Sequence, residues 1–120
     1  MSLRGIRGAT CLTADDAAEM SEAVGELLTA MMQRNSITSD DVISVLLTGT
    51  PDLTCAFPAA GARAIGLVDV PLLCAAEMDV AGALPRVVRV LMHVEVDGPR
   101  SAIVHVYLRG AEVLRQDLVQ

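Results

Sequence analysis

Residues 85–96 read Pro-Arg-Val-Val-Arg-Val-Leu-Met-His-Val-Glu-Val. β-Branched residues dominate and no glycine follows Pro85, so the segment reads as a strand. Side chains alternate across a strand. Val88, Val90, Met92, Val94 and Val96 then share one face, which has the character of a core face. Val87, Arg89, Leu91, His93 and Glu95 share the other. A strand this long runs through the middle of a small domain, and it carries Arg89 near its start. A guanidinium cannot shed its proton, so it requires an anion or water. Two readings are open. Arg89 pairs with a carboxylate of the protein or lies on a solvated sheet face, or it is held out to an anionic ligand.

The 120 residues suit a single domain spanning 1–120 around one core. Hydrophobic residues make up 52% and mean hydropathy is +0.49, yet no apolar run is long enough to cross a membrane. The N-terminal segment has no apolar signal-peptide core. A cytoplasmic protein that buries surface against copies of itself reconciles these facts. Net charge is −6, aromatic residues are 2%, and there is no basic run, which argues against nucleic acid as a partner. All nine cations are arginine, so lysine Schiff-base chemistry is excluded. Cys11, Cys55 and Cys74 show no C-x-x-C spacing, so neither a disulfide framework nor a zinc site is expected.

Taken in order, residues 3–10 form a short first strand, with Gly5 and Gly8 leaving Arg7 uncrowded. Thr13 and Asp16 resemble a capped helix start. Over residues 14–34, Met20, Ala23, Val24, Leu27, Leu28, Met31 and Met32 recur at helical spacing. That methionine-rich stripe is core packing. Residues 42–48 read as a buried strand, ended by Gly49-Thr50-Pro51-Asp52-Leu53. Pro58 suits the first turn of a short helix over 59–65 that carries Arg63, and Gly66 caps it. Residues 68–75 are an apolar run with Pro71 inside, which marks a sheet edge or bulge. Small residues around Glu77 leave room for a ligand to approach; otherwise it is a solvated loop carboxylate. Asp97-Gly98-Pro99 turns the chain into a strand over 103–108, followed by a tail with Arg115. The order predicts an α+β (mixed α/β) fold, with helices packed on one side of a mixed β-sheet.

There is no P-loop, no dinucleotide fingerprint and no nucleophile elbow. His93 and His105 show no metal spacing with the cysteines, and nothing near Cys74 supplies a base. What remains is Arg7, Arg63, Arg89 and Arg115 with Glu77 and the single tyrosine, Tyr107. This set suits a small, multiply charged anion rather than covalent chemistry.

Five segments carry a resemblance: Arg4-Gly5-Ile6-Arg7-Gly8-Ala9-Thr10; Thr50-Pro51-Asp52-Leu53 with Phe57-Pro58-Ala59; Cys74-Ala75-Ala76-Glu77-Met78-Asp79; Arg89-Val90-Leu91-Met92; and His105-Val106-Tyr107-Leu108 with Val113-Leu114-Arg115. Together they resemble the monofunctional trimeric chorismate mutases of bacteria. The resemblance implies a homotrimeric pseudo-α/β-barrel with active sites between subunits. It implies conversion of chorismate to prephenate without metal or cofactor. It places Arg89 on the breaking ether bond and Glu77 on the ring hydroxyl, with Cys74 beside it. Arg7 and Tyr107 then hold carboxylates. Phe57 of a neighbouring subunit packs on the substrate and Arg63 lies at the cleft mouth. Leu72 is counted among the binding residues, and Leu114 and Arg115 belong to a closing tail. Ala60 and Leu73 depart from the lysine and threonine common in the family, which is expected to weaken binding more than chemistry. The alternatives are an imine deaminase of the RidA kind and a small-anion-binding trimer without catalysis.

Overall fold

The computed structural model describes residues 1–115, and of Arg115 the backbone alone. Five strands form one mixed sheet: β1 (Ser2–Cys11), β2 (Val42–Gly49), β3 (Leu72–Ala76), β4 (Val87–Val96) and β5 (Val106–Tyr107). Their spatial order is β3-β2-β4-β1-β5, so the strand carrying Arg89 is central. β4 runs antiparallel to both neighbours, whereas β3 and β5 add in parallel at the edges. Pro71 directly precedes β3, so its missing N–H costs the edge nothing, and its carbonyl accepts from Val45.

The helices α1 (Ala17–Arg34) and α2 (Ala59–Ala64) share one core with the inward residues of the sheet. Val88, Val90, Met92 and Val94 of β4 are buried against Met20, Val24, Leu27, Leu28 and Met31 of α1. Each large side chain so buried contributes about 1.5–3 kcal/mol, and truncating Leu27 to alanine costs roughly 2–5 kcal/mol. Gly61 lets α2 lie directly on α1. A Cβ there would sit 2.7 Å from Val24 Cβ and 3.1 Å from the Ser21 carbonyl, closer than packed atoms tolerate.

Several boundaries differ from the sequence reading, each for a local reason. α1 begins three residues later than residue 14, because Asp16 rather than Thr13 is its cap. The Asp16 carboxylate accepts from the Glu19 N–H at 2.8 Å. Glu19 in turn accepts from Thr13 N–H, the Thr13 hydroxyl and Ala14 N–H, bracing the lead-in turn. In β2 a register shift between Val42 and Ser44 inserts one residue, so Val42 and Val45 both face the core. Residues 68–71 stay outside β3.

The anticipated strand over 103–108 shrinks to Val106–Tyr107. Asn35, the C-cap residue of α1, takes both Val104 backbone groups, with its amide on the carbonyl at 2.9 Å and its oxygen on the N–H at 2.8 Å. His105 Nδ1 accepts from Arg7 N–H at 2.9 Å. Side chains thus replace the ladder there. Arg109, next to this turn, forms ion pairs with Glu22 at 3.0 Å and Glu26 at 3.1 Å on α1.

Candidate active site

The side of the sheet away from the helices carries the candidate site, and strand register builds it. Tyr107 lies beside Ala9, Ala9 beside Arg89, Arg89 beside Thr48, and Thr48 beside Ala75. One row therefore crosses all five strands with Arg89 at its centre. Directly paired residues share a face, and strands lie about 4.8 Å apart. Ala9 is the spacer between the tyrosine and the arginine, and its methyl group is fully buried in the cluster that surrounds Tyr107. Arg7 is two residues before Ala9 on the same strand, hence on the same face, opposite Leu91.

Glu77 follows β3 and is fixed by both its backbone and its side chain. Its N–H donates to the Gly49 carbonyl at 2.9 Å. Its Oε2 accepts the Thr48 hydroxyl at 2.9 Å and meets Arg89 Nε at 3.2 Å. It is therefore a held carboxylate, not a solvated one. Arg89 pairs with a carboxylate of the protein, as the first reading has it, while its side chain stays 46% exposed against 24% for Glu77. The four N–H bonds on its two terminal nitrogens find no hydrogen-bond partner among the described residues. Solvent screening at such a pair keeps its share of stability small. Its local effect is electrostatic: the carboxylate keeps the guanidinium beside it while the terminal nitrogens stay without a protein partner among the described residues.

Tyr107 is buried with Ala9, Val87 and Ala111, and Leu114 packs against this cluster. Residues 111–114 therefore lie beside the tyrosine. The side chain of Arg115 lies outside the described residues.

The remaining candidates are elsewhere on this chain. Phe57, Ala60 and Cys74 line a cleft of about 770 Å³ with Leu53, Cys55, Pro58 and Ala76. Arg89, Glu77, Arg7 and Tyr107 are not part of its lining. Cys74 pairs with Leu47 and Leu72 with Val45, which turns both toward the helix-side core. Within one chain Cys74 therefore stands across β3 from Glu77 rather than beside it, and Leu72 serves packing. Phe57 is 73% exposed, and Arg63 is exposed in the last turn of α2. Leu73 is 64% exposed on the helix-free face, beside Leu46.

Two contributors escaped the sequence reading. Thr48 orients Glu77, but only the register reveals it. Asp15, just ahead of α1, accepts from Thr54 and Cys55, a contact that helical spacing does not reveal. Among the described residues no cluster of three His, Cys, Asp or Glu side chains could hold a metal ion, and no helix is long and apolar enough to cross a membrane.

This geometry coincides with clear relationships to known proteins. The family model for chorismate mutase type I matches residues 3–118. The chorismate mutase AroH of Thermus thermophilus is 48% identical over 117 residues, covering 97% of this chain and 96% of that protein. AroH of Bacillus subtilis (strain 168) is 43% identical over 119 residues, covering 98% of this chain and 94% of that protein. The solved structure of a chorismate mutase from Clostridium thermocellum superposes with a TM-score of 0.89 at 43% identity, covering 91% of this chain and 97% of that one. With an arginine-centred row on its open sheet face and near-complete coverage by these relatives, the chain belongs to the chorismate mutase type I family.

Proposed function

We propose that this chain, as one domain over 1–120, converts chorismate to prephenate at sites between the subunits of a cytoplasmic homotrimer, on the route to phenylalanine and tyrosine. The observation that carries the reading is the partly exposed Arg89 guanidinium, ion-paired with Glu77 at Nε and without a hydrogen-bond partner at its terminal nitrogens among the described residues, in a chain of this family.

The reaction breaks a C–O bond and forms a C–C bond in one pericyclic step. It needs no nucleophile, no proton donor and no cofactor, so catalysis comes from holding the flexible dianion in its reactive shape and from stabilising charge. Negative charge grows on the ether oxygen as the bond breaks. The terminal nitrogens of Arg89 meet that charge, and a fixed donor of this kind is worth about 10²–10³ in rate. Arg7 and the Tyr107 hydroxyl take the carboxylates. Glu77 Oε1, which accepts from Met78 N–H at 3.2 Å, is left for the ring hydroxyl. Leu114 and Arg115 cover the ligand.

Phe57, with Arg63 at the mouth and Cys74 and Leu72 behind it, belongs to a different surface of the chain. A neighbouring subunit brings that surface over Arg89. The helix-free sheet face supports such an assembly, since Leu3 is 61% and Leu73 64% exposed there, with Leu46 and Leu91 half-buried. Leu73, Leu46 and Leu91 pair across neighbouring strands, and an apolar row of this kind suits an association surface.

The test is the absorbance decay of chorismate with purified protein, run beside sedimentation. Turnover by a trimer, unaltered by a chelator, is the expected result. A monomer, or turnover of amino-acid imines with no effect on chorismate, would sink the reading.

A further inference from the structure

The exposed Phe57 has little around it to fix its position, so the loop that carries it must do so. Two and three residues earlier, that loop meets Asp15. The Asp15 carboxylate accepts Thr54 N–H at 2.9 Å and Cys55 N–H at 2.9 Å on Oδ1, and the Thr54 hydroxyl at 2.8 Å on Oδ2. Asp15 is itself held, because Glu19 braces the turn just before it through Thr13 and Ala14. On the far side of Phe57, Pro58 leads into α2, which is locked on α1 at Gly61. The loop is therefore pinned at both ends.

We propose that Asp15 is a positioning residue for the reaction: its carboxylate sets the backbone at Thr54 and Cys55 and thereby the place where Phe57 is presented. The inference rests on the reading that Phe57 meets substrate held by a neighbouring subunit's arginine site. Asp15 touches no reacting atom. A clamp of this kind removes loop freedom before substrate arrives, so its loss is felt in binding rather than in the bond-making step. Hydrogen bonds from the Cys55 and Thr54 side chains, with their backbone N–H groups, hold the Asp15 carboxyl down to about 2, so the clamp is fully charged at neutral pH.

The test compares Asp15→Ala, Asp15→Asn and Thr54→Val in the full chain. Asp15→Ala raises KM for chorismate about tenfold while kcat stays within about threefold. Asp15→Asn keeps an oxygen for both N–H groups, so it restores KM to within about twofold of wild type. Thr54→Val, which deletes one bond and leaves the helix lead-in intact, raises KM about twofold to threefold. Amide exchange at Thr54 and Cys55 accelerates in Asp15→Ala without a matching change in the β4 amides. Unchanged exchange overturns the clamp. Faster exchange with unchanged KM, in protein that turns over chorismate, overturns its role in presenting Phe57. An asparagine variant as impaired as alanine overturns the acceptor mechanism. If wild-type protein leaves chorismate untouched, the functional reading fails, and amide exchange still decides whether Asp15 holds the loop.

Discussion

Arg89 and Glu77 meet Nε to Oε2 at 3.2 Å, and the same oxygen accepts the Thr48 hydroxyl at 2.9 Å. Side chains of β2 and β4 thus converge on one oxygen of the carboxylate that follows β3, and the terminal nitrogens of the guanidinium find no hydrogen-bond partner among the described residues. The arginine is held without being used up. Arg89 and Glu77 have separable consequences.

Replacing Arg89 by citrulline keeps the shape and removes the charge. We expect kcat to fall by about 10³ or more while sedimentation and thermal stability stay near wild type. Chorismate decay measures the first and a melting curve the second. A kcat within tenfold of wild type would show that the cation is not aimed at the developing charge.

Glu77→Gln keeps an oxygen for the Thr48 hydroxyl but removes the ionic hold on Arg89. The pair is partly exposed, so Tm should shift little. Both kcat and KM should worsen, by about 10–100-fold in kcat/KM, because the guanidinium is freed to turn and the ring hydroxyl faces a weaker acceptor. A large drop in Tm with unchanged kinetics would identify Glu77 as a stability residue instead.

Leu114→Ala tests the C-terminal segment. Leu114 packs on the Tyr107 cluster, whose Ala111 is fully buried. Shortening it loosens the cover over the site and should raise KM several-fold with kcat within about twofold. Steady-state kinetics across a chorismate series separates the two constants. Equal losses in both would mean that Tyr107 itself had moved.

Stability should depend on Asp15 at acid pH. Its carboxyl is lowered from 3.8 to about 2 on folding. The folded state therefore holds this proton more weakly than the unfolded state, and stability rises with pH across that interval. The contribution is complete above about 3.8 and fades as pH falls toward about 2. Asp15→Asn, neutral throughout, lacks it. Melting temperatures of the two proteins should therefore converge between those values, and a constant gap would contradict the assignment.

The central strand was legible in the sequence because its alternation is unbroken: each residue from Val88 to Val94 lies on the face its position predicts. β2 was legible as a strand but its faces were not, because the extra residue at Ile43 resets the alternation. The segment around His105 looked like a full strand because β propensity does not register that Asn35 and His105 side chains satisfy its backbone neighbourhood. Arg89 stood out by charge on an apolar strand. Its row-mates Ala9 and Thr48 carried no such mark, since adjacency across strands depends on pairing between segments far apart in sequence. Likewise, helical spacing exposed the stripe of α1, while nothing in it disclosed that a residue ahead of the helix would reach a loop some forty positions later.

The direct seat of Gly61 on Val24 gives α1 a role beyond packing. The lead-in to the helix grips the aromatic loop, its middle carries α2, and Glu22 and Glu26 tether the turn at Arg109 that leads to Leu114. One rod is thus the mounting for two distant working parts. A load placed on either is shared with the other, so a tilt of this helix would shift the Phe57 loop and the Leu114 segment together without disturbing the arginine anchored in the sheet.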